Sequence, residues 1–274
     1  MRVSRLMWAA ALVLALTVGA GAQDAGAEEG REAIRRGNEH YAAARYEAAV
    51  REYARVGAGA GEAYAQSLYN IGVCYYELWR TEEAVAMYRR AVAAQGGRYP
   101  RALYALGVAL RDLDRADEAR AAFRQAVAVS GGCEALAHYM LGLLALAEGD
   151  DRAAETHFRE ALARSARRLP AAHNNLGVVL ARAGRLSEAE REFDLAVRNS
   201  DDGFEEAAHN LSVCRALRRS ETARGLSASL KAVGDGRAGA ASARGAGGRG
   251  WEGLNTPAPT ATPREALTGR PLRF

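Results

Sequence analysis

Lysine is almost missing from this sequence: of 37 basic residues only Lys231 is a lysine, and the rest are arginine. A phosphate-cradling P-loop needs its Gly-Lys-Ser/Thr and Schiff-base chemistry needs an amine, so neither is available before position 231. Aromatic residues are scarce at 7%, and 29 glycines in 274 residues are not extreme, which excludes a β-barrel and a collagen-like chain. No serine-centred nucleophile elbow, H-E-x-x-H pair or paired-carboxylate site is present, so no catalytic residue, cofactor or metal is expected and the chain reads as a non-enzyme. Cysteine is limited to Cys74, Cys133 and Cys214, an odd number that leaves at least one thiol unpaired. With 26% charged and 49% hydrophobic residues, the bulk reads as soluble and globular.

The N-terminus has the grammar of an export signal. Arg2 and Arg5 make a positive start, Leu6 to Val18 is apolar, and Ala20-Gly21-Ala22 offers small residues for cleavage before Gln23. The apolar run is shorter than the ~20 residues of a spanning helix. Residues 1–22 are therefore expected to be a signal peptide and 23–29 a short linker. The expected location is outside the cytoplasm of a bacterium, in the periplasm, with anchoring to the inner membrane by an uncleaved signal as the alternative.

The rest is organised by a period of 35 residues. Gly37, Gly72, Gly107, Gly142 and Gly177 recur at that interval. So do the alanines 49, 84, 119, 154 and 189, and the aromatics Tyr53, Tyr88, Phe123, Phe158 and Phe193. Val56, Ala91, Ala126, Ala161 and Ala196 follow in the same step. Within one period, Leu68, Ile71, Gly72 and Tyr75 share one face of a helix, and Ala84, Tyr88 and Ala91 share a face of a second. Leu78 to Thr81 leaves room only for a turn, so the two helices must be antiparallel neighbours, touching backbone to backbone at the glycine and alanine. Thr81 before Glu82-Glu83, the pair Asp150-Asp151, and Ser187 with Glu190 as a capping box mark helix starts.

This pattern resembles the tetratricopeptide repeat (TPR) family, a 34-residue helix-turn-helix unit, most clearly in "NIGVCYYELWRTEEAVAMYRRAV" and "NNLGVVLARAGRLSEAEREFDLAV". The chain departs from it in a 35-residue period and in lacking most of the family's prolines, Pro100 and Pro170 merely introducing repeats three and five. The resemblance implies an all-α fold: a right-handed α-α superhelix, or TPR solenoid, of five helix-turn-helix repeats over residues 30–199. Residues 205–219 read as a capping helix within a 200–233 cap and extension, and 234–274 as a disordered, basic tail rich in Gly, Ala and Pro. In that tail Gly245 to Gly250 spells G-x-G-x-x-G without the strand and helix that give it meaning.

The concave face of such a stack is lined by first helices. Positions not consumed by packing put Tyr41, Tyr69, Tyr76, Tyr104 and Tyr139 in a strip, with Asn70, Arg101, Arg111 and Asn174 on the same helices. Tyrosine joins apolar area to a hydroxyl at low entropy cost, so these nine residues are the candidate partner-binding set. The other reading of the rings is that they pack against neighbouring helices. The family's clamp for a C-terminal carboxylate is matched by Asn38, Asn70 and Arg101, but Ile34 and Ala105 stand where two of its basic residues belong. The expected function is a non-enzymatic protein-protein interaction scaffold of the cell envelope that holds a peptide or protein segment. The alternative is a self-associating structural component, a homo-oligomer tethered by its N-terminus or tail. Nucleic acid is not an expected partner, and membrane contact is expected only through an uncleaved signal or the basic tail. His138 and His173, at one position in adjacent repeats, are expected about 10 Å apart, too far to share a zinc ion, and structural. Cys74 and Cys214 read as core residues and Cys133 as the accessible thiol.

Overall fold

The computed structural model describes residues 28–129, 132–166, 169–200 and 203–219. The expected signal peptide, most of the expected linker, the extension expected beyond the cap and the 234–274 tail with its glycine motif lie outside the described residues. Among the described residues every regular element is helical: α1 (28–42), α2 (Tyr46–Tyr53), α3 (Glu62–Glu77), α4 (Thr81–Ala94), α5 (Pro100–Asp112), α6 (Ala116–Val129), α7 (Glu134–Ala147), α8 (Asp151–Arg164), α9 (Pro170–Arg182), α10 (Leu186–Arg198) and α11 (Glu205–Arg219), with a single 3-10 turn at Ala58–Ala60. The protein is thus an all-α helical-repeat fold. Two compact units divide it, one running through Ala102 and the other starting at Leu103, with the boundary inside α5.

The hairpin is built the same way each time. The alanines 49, 84, 119, 154 and 189 have no exposed surface, and the ring 16 residues after each repeat glycine is buried. That ring occupies the space where a side chain on the glycine would stand. A methyl group on Gly72, Gly142 or Gly177 would lie 2.6 Å from the ring of Tyr88, Phe158 or Phe193 respectively. Glycine is therefore required by the close approach of an aromatic edge to the first helix, more than by contact between two backbones.

Turn geometry repeats too. Ala44, Trp79, Asp114, Gly149 and Gly184 stand at one register, 35 residues apart, and all five have positive φ. This left-handed residue reverses the chain between the helices of each hairpin, yet glycine fills it only in the last two repeats. The residue after it precedes the second helix. Asp150 there accepts a hydrogen bond from the Ala153 amide at 3.0 Å, a side-chain N-cap. In repeats two, three and five the place is held by Arg80, Arg115 and Arg185, each bonded to the glutamate three residues on: Glu83, Glu118 and Glu188.

Two expectations fail here. The Ser187–Glu190 capping box does not form, because α10 begins at Leu186 after Arg185 and Ser187 is already inside the helix. Glu190 instead receives Arg215 and Arg218 from α11. Cys133 is not an accessible thiol: it directly precedes α7 with only 4% of its surface exposed, and all three cysteines are buried outside any disulfide. At the C-terminal end, Phe204 and Ala207 close over Ala196.

Candidate functional site

Five of the nine candidate residues belong to the first unit. Tyr41, from α1, donates a hydrogen bond from its hydroxyl to Oε1 of Glu77 on α3 at 3.1 Å and packs against Tyr46 with ring centroids 5.4 Å apart. Burial, then the nearby Glu77 carboxylate, push the Tyr41 hydroxyl well above the ordinary tyrosine pKa, so it stays a donor. Glu77 is itself buried, as are Tyr69, Asn70, Tyr76 and Arg101. Tyr69 lies between two rings, Tyr88 at 5.8 Å and Tyr99 at 5.7 Å, and the Arg101 guanidinium stands over it at 5.5 Å from the ring centroid. A cation in that position is attracted to the ring face and fixes its orientation. Cys74, beneath this group on α3, has its thiol pushed up to about 12 by burial, with Glu77 adding to the effect, so it is unreactive at neutral pH.

The other four belong to the second unit. Tyr104 is half-buried and packs on Phe123 at 5.8 Å; Tyr139 is buried and packs on Phe158 at 5.9 Å. With Tyr69 on Tyr88 this makes one rule: the first-helix tyrosine rests on the buried ring 19 residues later, in the second helix of its own hairpin. Arg111, half-buried, pairs with Asp112 at 2.7 Å and directs a second nitrogen toward the sulfur of Met140. Asn174 has no exposed surface. It joins a buried amide chain in which Asn210 donates to Asn174 at 2.9 Å, Asn174 to Asn175 at 3.3 Å, and Asn175 to the Tyr139 hydroxyl at 3.4 Å.

Sequence reasoning missed several of these groups. Glu77, Tyr99, Asn175 and Asn210 join the predicted residues, and the rings, which sit on first helices, are part of the packing. Tyr104 and Arg111, on α5, are the most open of the second-unit candidates.

His138 and His173 each have a partner of their own in the second helix of their hairpin. His138 on α7 faces His157 on α8, their Nδ1 atoms 3.2 Å apart. His173 Nδ1 meets Glu192 Oε2 at 2.7 Å, the same separation of 19 residues between first and second helix. Among the described residues no group of three or more His, Cys, Asp or Glu is placed to hold a metal ion, and no helix is long and apolar enough to cross a membrane.

A family model of the tetratricopeptide repeat matches residues 27–98, 80–132 and 139–204, more than half of the chain. No curated protein matches it in sequence. Among solved structures, it is similar to the MamA protein at 21% identity and a TM-score of 0.54, over 66% of this chain and 95% of MamA. It is also similar to pilF of Pseudomonas aeruginosa, at 20% identity and a TM-score of 0.58, over 76% of this chain and 90% of that one. YrrB, described as a TPR protein with an unusual peptide-binding site, matches at 23% identity and a TM-score of 0.51, over 65% of this chain and 89% of YrrB. At these identities the likeness is one of fold.

Proposed function

The chain belongs to the tetratricopeptide repeat family, and from that premise we propose that it is a non-catalytic scaffold whose first-helix residues hold an extended or helical segment of another protein. Proteins of this family are protein-interaction modules. The observation that carries the finer reading is the open part of α5: Tyr104, half-buried, is held by Phe123 of the same hairpin at 5.8 Å, so the ring area it leaves open meets a partner without losing much rotamer freedom. Arg111, half-buried on the same helix, adds an oriented donor. The peptide-binding site ascribed to YrrB is in keeping with this use of the fold. The signal-like sequence of residues 1–22 supports a partner in the bacterial envelope.

The test is capture of partners from envelope extract by crosslinking, with the full chain and with a Tyr104→Ala/Arg111→Glu variant. Both side chains are half-buried, so their replacement should leave the helical circular dichroism near wild type. Capture is expected to fall at least tenfold. Undiminished capture would remove the first helices as the binding surface, and loss only on deletion of 234–274 would move it to the tail.

A further inference from the structure

We propose that His138 and His157 form an open binding site for a divalent transition-metal ion, with zinc as the reference ion. The two Nδ1 atoms face each other at 3.2 Å across the α7–α8 hairpin. A tetrahedral ion bound at ~2.0–2.1 Å from each nitrogen needs its two ligands about 3.3 Å apart, so the rings already stand at chelating distance. The ring centroids are 5.4 Å apart and the planes are tilted by 37°. The helix pair holds that geometry in place: Ala154 and Phe158, on the same helix as His157, have no exposed surface, and His138 is buried.

Protonation state agrees with the geometry. Burial, then the nearby Arg164 and His157, lower the His138 imidazole to about 4, and burial with Arg124 lowers His157. Both rings are therefore neutral at pH 7, the form that ligates metal. Binding takes the proton off the Nδ1 that carries it while the same ring takes one up at Nε2, so both rings stay neutral and no proton is released overall. Arg124 and Arg164 oppose a cation here and Glu134 favours one. Because no third protein ligand stands at the site among the described residues, water or a ligand from a bound partner completes the shell. His157 is half-buried, which leaves a route from solvent. His173 does not belong to the site, since Glu192 holds its Nδ1.

Zn2+ is titrated calorimetrically into the full chain, into His157→Gln, and into His209→Gln as a control at an exposed histidine. One ion per chain is expected, with affinity at least tenfold weaker in His157→Gln and unchanged in His209→Gln. A nitrogen NMR titration of the wild type needs no variant: Zn2+ should shift the Nδ1 resonances of two histidines and leave the other three in place. Absence of saturable binding, binding unaffected by His157→Gln, or shifts at other histidines would overturn the proposal, and would mean that the pair is only an N–H···N hydrogen bond.

Discussion

At the scale of single residues, the account turns on what stands beside each repeat glycine. Alanine is the better helix former by roughly 0.5–1 kcal/mol, so Gly142→Ala would stabilise α7 if only propensity mattered. The added methyl would lie 2.6 Å from the Phe158 ring, and over-packing of a tight core costs about 1–3 kcal/mol. The clash should win. Urea denaturation of Gly142→Ala is expected to show a lower midpoint at unchanged slope, and a midpoint at or above wild type would contradict the packing described.

The histidine pair gives a second residue-scale prediction. A histidine whose folded pKa lies below its unfolded value binds more protons when unfolded, so stability is fully present above about pH 6.5 and declines as pH falls toward about 4. The groups facing the pair are Arg124 and Arg164, which deepen the effect, and Glu134, which lessens it. In repeats two and three the position of His138 is held by Leu68 and Leu103, so His138→Leu is compatible with the hairpin. Between pH 7 and pH 4.5 the variant should lose less stability than the wild type in urea melts; equal losses would show that the pair stays unperturbed.

At the scale of the element, each hairpin turn requires a left-handed residue, and Trp79 meets that requirement badly. Its φ is +62° and its side chain is 57% exposed, so little buried area offsets the strain. Left-handed backbone costs a non-glycine residue roughly 1–2 kcal/mol, partly cancelled by the extra unfolded-state entropy of glycine. Trp79→Gly should raise stability by about 0.5–1 kcal/mol in chemical denaturation. A loss would mean that the indole holds the turn by contact.

The helical hairpin was legible in the sequence because its determinants are periodic: glycine, alanine and aromatic recur at fixed spacing, and burial acts on each alike. Cross-helix pairs were harder to see. Comparing His138 with His173 looks along the repeat, whereas the partner lies 19 residues on, in the antiparallel helix, a register that Tyr69–Tyr88 and His173–Glu192 also follow. The capping box was misplaced for a similar reason. Asp150 already marked the helix-start register that Arg185 shares, and Ser187 lies two residues inside it. Cys133 misled because flanking glycines suggest an exposed loop, while the residue entering a helix is drawn in by its packing. For the tyrosines only the position on the first helix was legible, since the ring beneath each one is specified by the other helix of the hairpin.

At the scale of the whole molecule, the chain comprises two units of one repeating design, and its family is one of interaction modules. Within the second unit, Arg185 at the start of α10 pairs with Glu155 of α8 as well as with Glu188 of its own helix, so it links two successive second helices.

The central claim, that partners meet the first helices, is tested most directly by placing a photo-crosslinking residue at single sites in cells. Position 104, on α5, should yield a defined adduct with another protein, whereas position 117, an exposed site on the second helix α6, should yield none. Adducts at 117 with none at 104 would contradict the account.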